Sequence, residues 1–196
     1  MNRSKIEWLK NPDGSQGFEW DPFEHKTIDL SYELNNVRAP TQILVTHGED
    51  FLSRATPEEI KLVIEKIKKY PKHTFILLTK NPKPFTDYEW PENVRAGQII
   101  NRQSDVLYMK YLLSNTIKFK FIVFDPLLER VSVRLGNIDW VIIGQDPETP
   151  VKPYWIEEIW SNCYHSSVSL YVKDPITYHA DNKDIPGFSH DRRQRA

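Results

Sequence analysis

The sequence predicts an α/β fold of about six parallel strands in an open, partial TIM-like (β/α) barrel. Two apolar runs within residues 119–146, FKFIVFDPLLERVSVRLGNIDWVIIGQD, carry most of that prediction. They are rich in Val, Ile and Phe with no polar alternation, and so read as strands covered on both faces, the usual state in parallel sheets. Asp125 ends the first run and Asp146 the second. Stretches with apolar residues at helical spacing alternate with such runs. Consecutive strands are therefore expected to be parallel, with right-handed crossovers. A chain of 196 residues fits one domain and can bury most of its apolar surface in a single core.

Residues 1–40 read as an irregular arm, rich in Asn, Pro, Asp and Gly, with Trp8, Phe18, Trp20 and Phe23 scattered through it. Those aromatics either plug the core or form a base-stacking surface. The β/α core spans 41–174. It starts with the strand TQILVTHGED at 41–50, which runs into His47, Glu49 and Asp50. Thr56-Pro57-Glu58-Glu59 then supplies an N-cap, a first-turn proline and a capping-box glutamate, so a helix begins there. Ile60, Val63, Ile64 and Ile67 form its buried face, and Pro71 closes it. TFILLTKNP at 74–82 is the second strand. After a proline-broken loop, a weaker third strand runs from about Val94 to Ile100. Ser104 is the expected cap of the next helix, whose apolar side includes Leu107, Tyr108, Tyr111 and Leu112. The two runs of 119–146 are strands four and five. Lys152-Pro153 begins a helix with Ile156, Ile159, Trp160 and Cys163 on one face, and SVSLYVKD at 167–174 is the sixth strand. A polar tail, 175–196, ends in HDRRQRA.

Charged residues make up 27% and the net charge is −1, so no global field draws the chain to nucleic acid or to an anionic membrane. No apolar run approaches the ~20 residues a bilayer crossing needs, and MNRSKIEWLK lacks a signal-peptide core. A cytoplasmic location is expected. One cysteine, Cys163, excludes an internal disulfide and any cysteine-rich zinc or iron–sulfur site. On the apolar face of a helix, it reads as a buried structural thiol. Nucleotide-binding, hydrolase and zinc-protease motifs (GxGxxG, P-loop, GxSxG, HExxH) are absent.

The strand ends hold the candidate chemistry. In order they are His47-Gly48-Glu49-Asp50, Thr79-Lys80-Asn81, Asn101-Arg102, Asp125-Pro126, Gln145-Asp146 and Lys173-Asp174. In a parallel sheet all six lie on one edge, where ligands collect. Asp50, Asp125, Asp146 and His47 are the candidate catalytic residues. Lys80, Asn81, Asn101, Arg102, Gln145 and Lys173 are the candidate ligand-binding residues. The carboxylates and His47 suit a divalent metal chemically, but no local ligand spacing supports one and no metal site is assigned.

SKIEW at 4–8, ILVTHGEDFL at 43–52, HTFILLTKNP at 73–82, PENVRAG at 91–97, DPLLE at 125–129, IDWVIIG at 138–144 and Cys163 together resemble a phage- and prokaryote-encoded family of unknown function. That family is known for a three-cysteine motif and a radical SAM-like partial barrel. The resemblance implies a [4Fe–4S] cluster soon after a TWNP-like step, which Glu19-Trp20-Asp21-Pro22 resembles here. No cysteine follows it. The family's Gly-Gly-Glu-Ser reads Gly144-Gln145-Asp146-Pro147, and its glutamate before Pro-Leu-Leu is Asp125. The chain is therefore identified as a shortened, cluster-less member, with no iron–sulfur cluster expected and an adenosyl cofactor unsupported. A binding or accessory protein with a polar cavity at the strand ends is the leading reading, its partner a small polar ligand or a protein. A cluster-independent hydrolase or transferase using the strand-end carboxylates is the alternative. Nucleic-acid binding through the aromatic arm, Arg192, Arg193 and Arg195 is a third.

Overall fold

The structure is a computed structural model, and it describes residues 34, 40, 42–45, 50–173 and 176. The arm apart from Leu34 and Pro40, His47, Glu49, Asp174 and the tail apart from Ile176 lie outside the described residues. Six strands form one all-parallel sheet: β1 Gln42–Val45, β2 Thr74–Thr79, β3 Val94–Ile99, β4 Phe119–Phe124, β5 Trp140–Ile143 and β6 Ser169–Val172. Their spatial order equals their chain order, β1-β2-β3-β4-β5-β6. Each strand is laid beside its predecessor, as in a barrel that stops short of closure. The helices are α1 Phe51–Arg54, α2 Pro57–Lys69, α3 Pro84–Asp87, α4 Met109–Ser114 and α5 Pro153–His165.

Alternation along each strand sorts the core into two layers. Ile43, Phe75, Leu77, Ala96, Ile122, Phe124, Val141, Ile143 and Leu170 join the buried side chains of α2, α4 and α5 in one large cluster. Ile76, Phe121, Val123 and Ile142 point the other way and form a second, smaller cluster to which, among the described residues, no helix contributes. On this second face the register stacks neighbours directly. Arg95 pairs with Phe119 and lies over its ring at 4.6 Å, and Phe121 pairs with Trp140 at 6.1 Å between rings. Gly97 pairs with Phe121, whose ring fills the place a Cβ on residue 97 would take.

The start of α2 is as its residues dictate. Thr56 Oγ1 accepts the Glu59 N–H at 3.2 Å, and Glu59 Oε2 accepts the Thr56 N–H at 2.8 Å, with Pro57 in the first turn. Thr56→Ala, which removes one half of this box, is expected to cost about 1 kcal/mol. A urea melt should show it as a lower midpoint with an unchanged slope.

Three expectations need correction. The helix after β3 does not start at Ser104 as a regular α-helix. Residues Gln103–Tyr108 form a 3₁₀ turn, and Asp105, not Ser104, caps it by accepting the Asn101 and Arg102 N–H groups at 2.9 and 3.0 Å. A 3₁₀ turn advances three residues per revolution, so the face shifts. Leu107 is 75% exposed and Tyr108 is exposed, while Leu112 is buried as expected and Met109 is buried beside it. Strand and helix do not alternate everywhere either. Among the described residues no helix joins β4 to β5, and an irregular link buries Leu127, Val131, Val133 and Leu135 under the first layer. Finally, two elements are unanticipated: α1, between β1 and α2, and α3, inside the proline-broken loop. Both have four residues, too few for an amphipathic period to register.

Candidate functional site

The site is built where β4, β5 and β6 stop. Each ladder continues one residue past its strand: Gly144 N–H donates to Phe124 O at 2.8 Å, and Lys173 N–H donates to Ile143 O at 2.8 Å. Asp125, Gly144 and Lys173 therefore lie side by side. Counting in twos from Phe121, Ile142 and Tyr171 puts all three on the second face of the sheet. Strands two apart are separated by about 9–10 Å, so a side chain on β4 meets one on β6 only by crossing whatever stands on β5. Here nothing stands on β5, because the residue is glycine. The Asp125 carboxyl fills the space over Gly144 that a Cβ would need, and Lys173 Nζ reaches it at 3.0 Å. The Asp125 side chain is 1% exposed and that of Lys173 21%. The pair is thus a largely desolvated charge contact, open to the surroundings on its cationic side.

The backbone around Asp125 is held from the neighbouring strand end. The Asp125–Pro126 peptide is cis. Asn101, at the end of β3, donates from Nδ2 to Pro126 O at 2.8 Å, and its own carbonyl accepts the Leu128 N–H at 3.1 Å. Leu127 N–H returns to Gly144 O at 3.1 Å. Asn101 is therefore a clamp on the loop that carries Asp125, working through both its side chain and its main chain.

The remaining strand-end residues are engaged with partners of their own, away from the Asp125–Lys173 pair. Asp50 caps α1 through Ser53 N and Oγ, at 3.2 and 2.6 Å, and accepts the Lys80 backbone N–H at 2.5 Å, tying α1 to the end of β2. Lys80 contributes its main chain there, and its side chain is exposed. Asn81 N–H donates to Thr79 Oγ1 at 3.0 Å, and Asn81 Oδ1 accepts the Lys83 N–H at 3.4 Å. Arg102 donates its backbone N–H to Asp105. Gln145 Oε1 accepts the Val151 N–H at 3.3 Å, and Asp146 Oδ1 closes a turn by accepting the Glu148 N–H at 2.7 Å. The strand-end carboxylates Asp50, Asp125 and Asp146 thus have separate partners. A reaction needing all three on one substrate gains nothing from this geometry. His47 lies outside the described residues.

Among the described residues no three His, Cys, Asp or Glu side chains assemble into a possible metal site, and no helix is long and apolar enough to cross a membrane. Cys163 is buried on α5, and burial pushes its thiol up to about 12, where almost no thiolate forms near neutrality. Gly144 was the least legible member of the site. Its signal was a glycine directly after an apolar run, two residues before Asp146, and it is the position that makes the Asp125–Lys173 contact possible.

Residues 6–194 match the model of a family described as protein of unknown function (DUF5131). The chain belongs to that family. No curated protein and no solved structure matches it. The DUF5131 chain thus presents an all-parallel, open α/β sheet whose strand ends bring one buried carboxylate and one partly exposed ammonium together.

Proposed function

We propose that this DUF5131 chain is a cytoplasmic binding or accessory protein of one domain, whose small polar ligand is held at the C-terminal ends of β4–β6 beside Asp125 and Lys173. It is a cluster-less relative of the phage- and prokaryote-encoded three-cysteine proteins with a radical SAM-like barrel. One observation carries the reading: an ion pair assembled from residues far apart in the chain, across a glycine, at the edge of a parallel sheet where ligands collect. A carboxylate and an ammonium side by side suit a ligand with both donors and acceptors. The ligand's polar groups would meet Lys173 from the open side of the pair, with Asp125 behind it fixing where the ammonium stands.

Thermal melting of the wild-type protein against a panel of small polar metabolites tests this. Saturating ligand at about a hundred times its dissociation constant stabilises by about 2.7 kcal/mol, so a true ligand should raise the melting temperature by several degrees. Asp125→Asn, which keeps the shape and removes the charge, should abolish that rise. No responding compound, or equal responses in both proteins, would count against the site. The cluster-less assignment has its own test. Anaerobic reconstitution with iron and sulfide is expected to give no stoichiometric cluster absorbance, because one thiol cannot hold a [4Fe–4S] centre. A stoichiometric cluster would overturn that part of the reading.

A further inference from the structure

His73 immediately precedes β2, at the rim of the sheet opposite the Asp125–Lys173 pair, and is 1% exposed. Neither of its ring nitrogens has a hydrogen-bond partner among the described residues. A neutral imidazole brings one donor and one acceptor into the interior, and an imidazolium brings two donors and a full charge. An unpartnered buried polar group is costly, and an unpartnered buried charge costs far more. The site thus tolerates the neutral ring and opposes the charged one.

The ring stands where four parts of the chain meet. Its backbone N–H donates to Tyr70 O, at the end of α2, at 3.1 Å. Asn93, just before β3, donates from Nδ2 to His73 O at 2.9 Å and to Tyr70 O at 3.2 Å, while Asn93 O accepts the Phe75 N–H of β2 at 2.8 Å. Tyr70 in turn accepts the Leu34 N–H on its hydroxyl at 3.2 Å. The Tyr70 and His73 rings lie 6.3 Å apart, tilted by 52°. Among the described residues, the charged group that acts on the imidazole is Lys72, a cation in the same turn. The Tyr70 hydroxyl serves Leu34 and the Asn93 amide serves the two backbone carbonyls, so neither partners the ring.

We propose that His73 is a proton-operated latch: its protonation in mildly acid solution opens the junction of α2, β2 and β3 and breaks the Leu34–Tyr70 hydrogen bond. Two independent features support the direction. The geometry offers the imidazolium no acceptor, and burial together with the Lys72 charge holds the ring's pKa below its ordinary 6.5. The unfolded or opened chain binds the proton at the ordinary value, and the closed form binds it only at lower pH. Closure is therefore fully favoured above pH 6.5, and it weakens as pH falls below 6.5 towards the closed-state value.

Histidine C2-hydrogen exchange read by mass spectrometry reports the His73 midpoint in the wild-type protein without a substitution. Amide exchange on the same samples, corrected for the intrinsic pH dependence, reports opening. The expected result is a midpoint below 6.5, with amide protection in peptides covering 70–75 and 93–96 falling as pH drops from 7.5 to 5, while β5 stays protected. A midpoint at or above 6.5, or rim protection that does not change over that range, overturns the proposal. His73→Leu, where it accumulates folded, should keep its rim protection across the same range. Wild-type acid sensitivity in that variant would likewise overturn it.

Discussion

Lys173→Met is expected to destabilise the protein by about 3–5 kcal/mol, the usual cost of removing one member of a buried ion pair. The reason is the asymmetry of the contact. The Asp125 side chain has almost no exposure, whereas the Lys173 side chain keeps a fifth of its surface accessible. Removing the cation takes the ammonium at 3.0 Å away from an interior anion. Removing the anion, as in Asp125→Asn, leaves a cation that can lean towards solvent, so the second change should cost clearly less. The double variant Lys173→Met, Asp125→Leu takes both charges away, and apolar groups of similar size often replace such a pair at little cost. It should be more stable than Lys173→Met alone. Urea denaturation of the three variants measures this directly. Costs below about 1 kcal/mol for both single changes, as for a surface pair, would contradict the buried character of the contact.

Gly144→Ala should be the most damaging single added methyl at the strand ends. The new Cβ would overlap the Asp125 carboxyl group. Relief by rotation is restricted, because that carboxyl is buried and its Oδ2 is bonded to Lys173. Overpacking of this kind costs about 1–3 kcal/mol, and the upper end is expected because the pair must also separate. The cost should nearly vanish in an Asp125→Ala background, where the colliding group is gone. A thermodynamic cycle over Gly144→Ala and Asp125→Ala reads this as a coupling of about 1–3 kcal/mol. Strict additivity would mean that the carboxyl does not occupy the space above Gly144.

These two positions also mark where sequence reasoning succeeded and where it stopped. That polar groups from the strand ends share one edge follows from parallel strands, and it was legible in the apolar runs ending at Asp125 and near Asp146. Which of them touch was not legible. Asp50 looked equivalent to Asp125 as a carboxylate after a strand, yet α1 starts at Phe51 and its first turn needs an acceptor, which Asp50 supplies to Ser53. Asp146 likewise closes its own turn. Short local hydrogen bonds, available as soon as the loop forms, engage both side chains, and the distant group that Asp50 also meets is the Lys80 backbone N–H, not another strand-end carboxylate. The misplaced face at Leu107 and Tyr108 has a comparable origin, since a 3₁₀ turn and an α-turn share apolar composition and differ only in pitch.

By itself the sequence determined the α/β class, the strands, the buried face of α2 and its capped start, because those depend on spacings of two to four residues. Its single cysteine is also the ground on which the cluster-less proposal rests. Only the tertiary structure decided that Asp125 meets Lys173, 48 residues away, across Gly144. That contact depends on strand order, on register carried one residue beyond each strand, and on the parity that points all three positions to the same face. A one-residue slip in any of the three ladders would turn a side chain to the other layer and dissolve the pair.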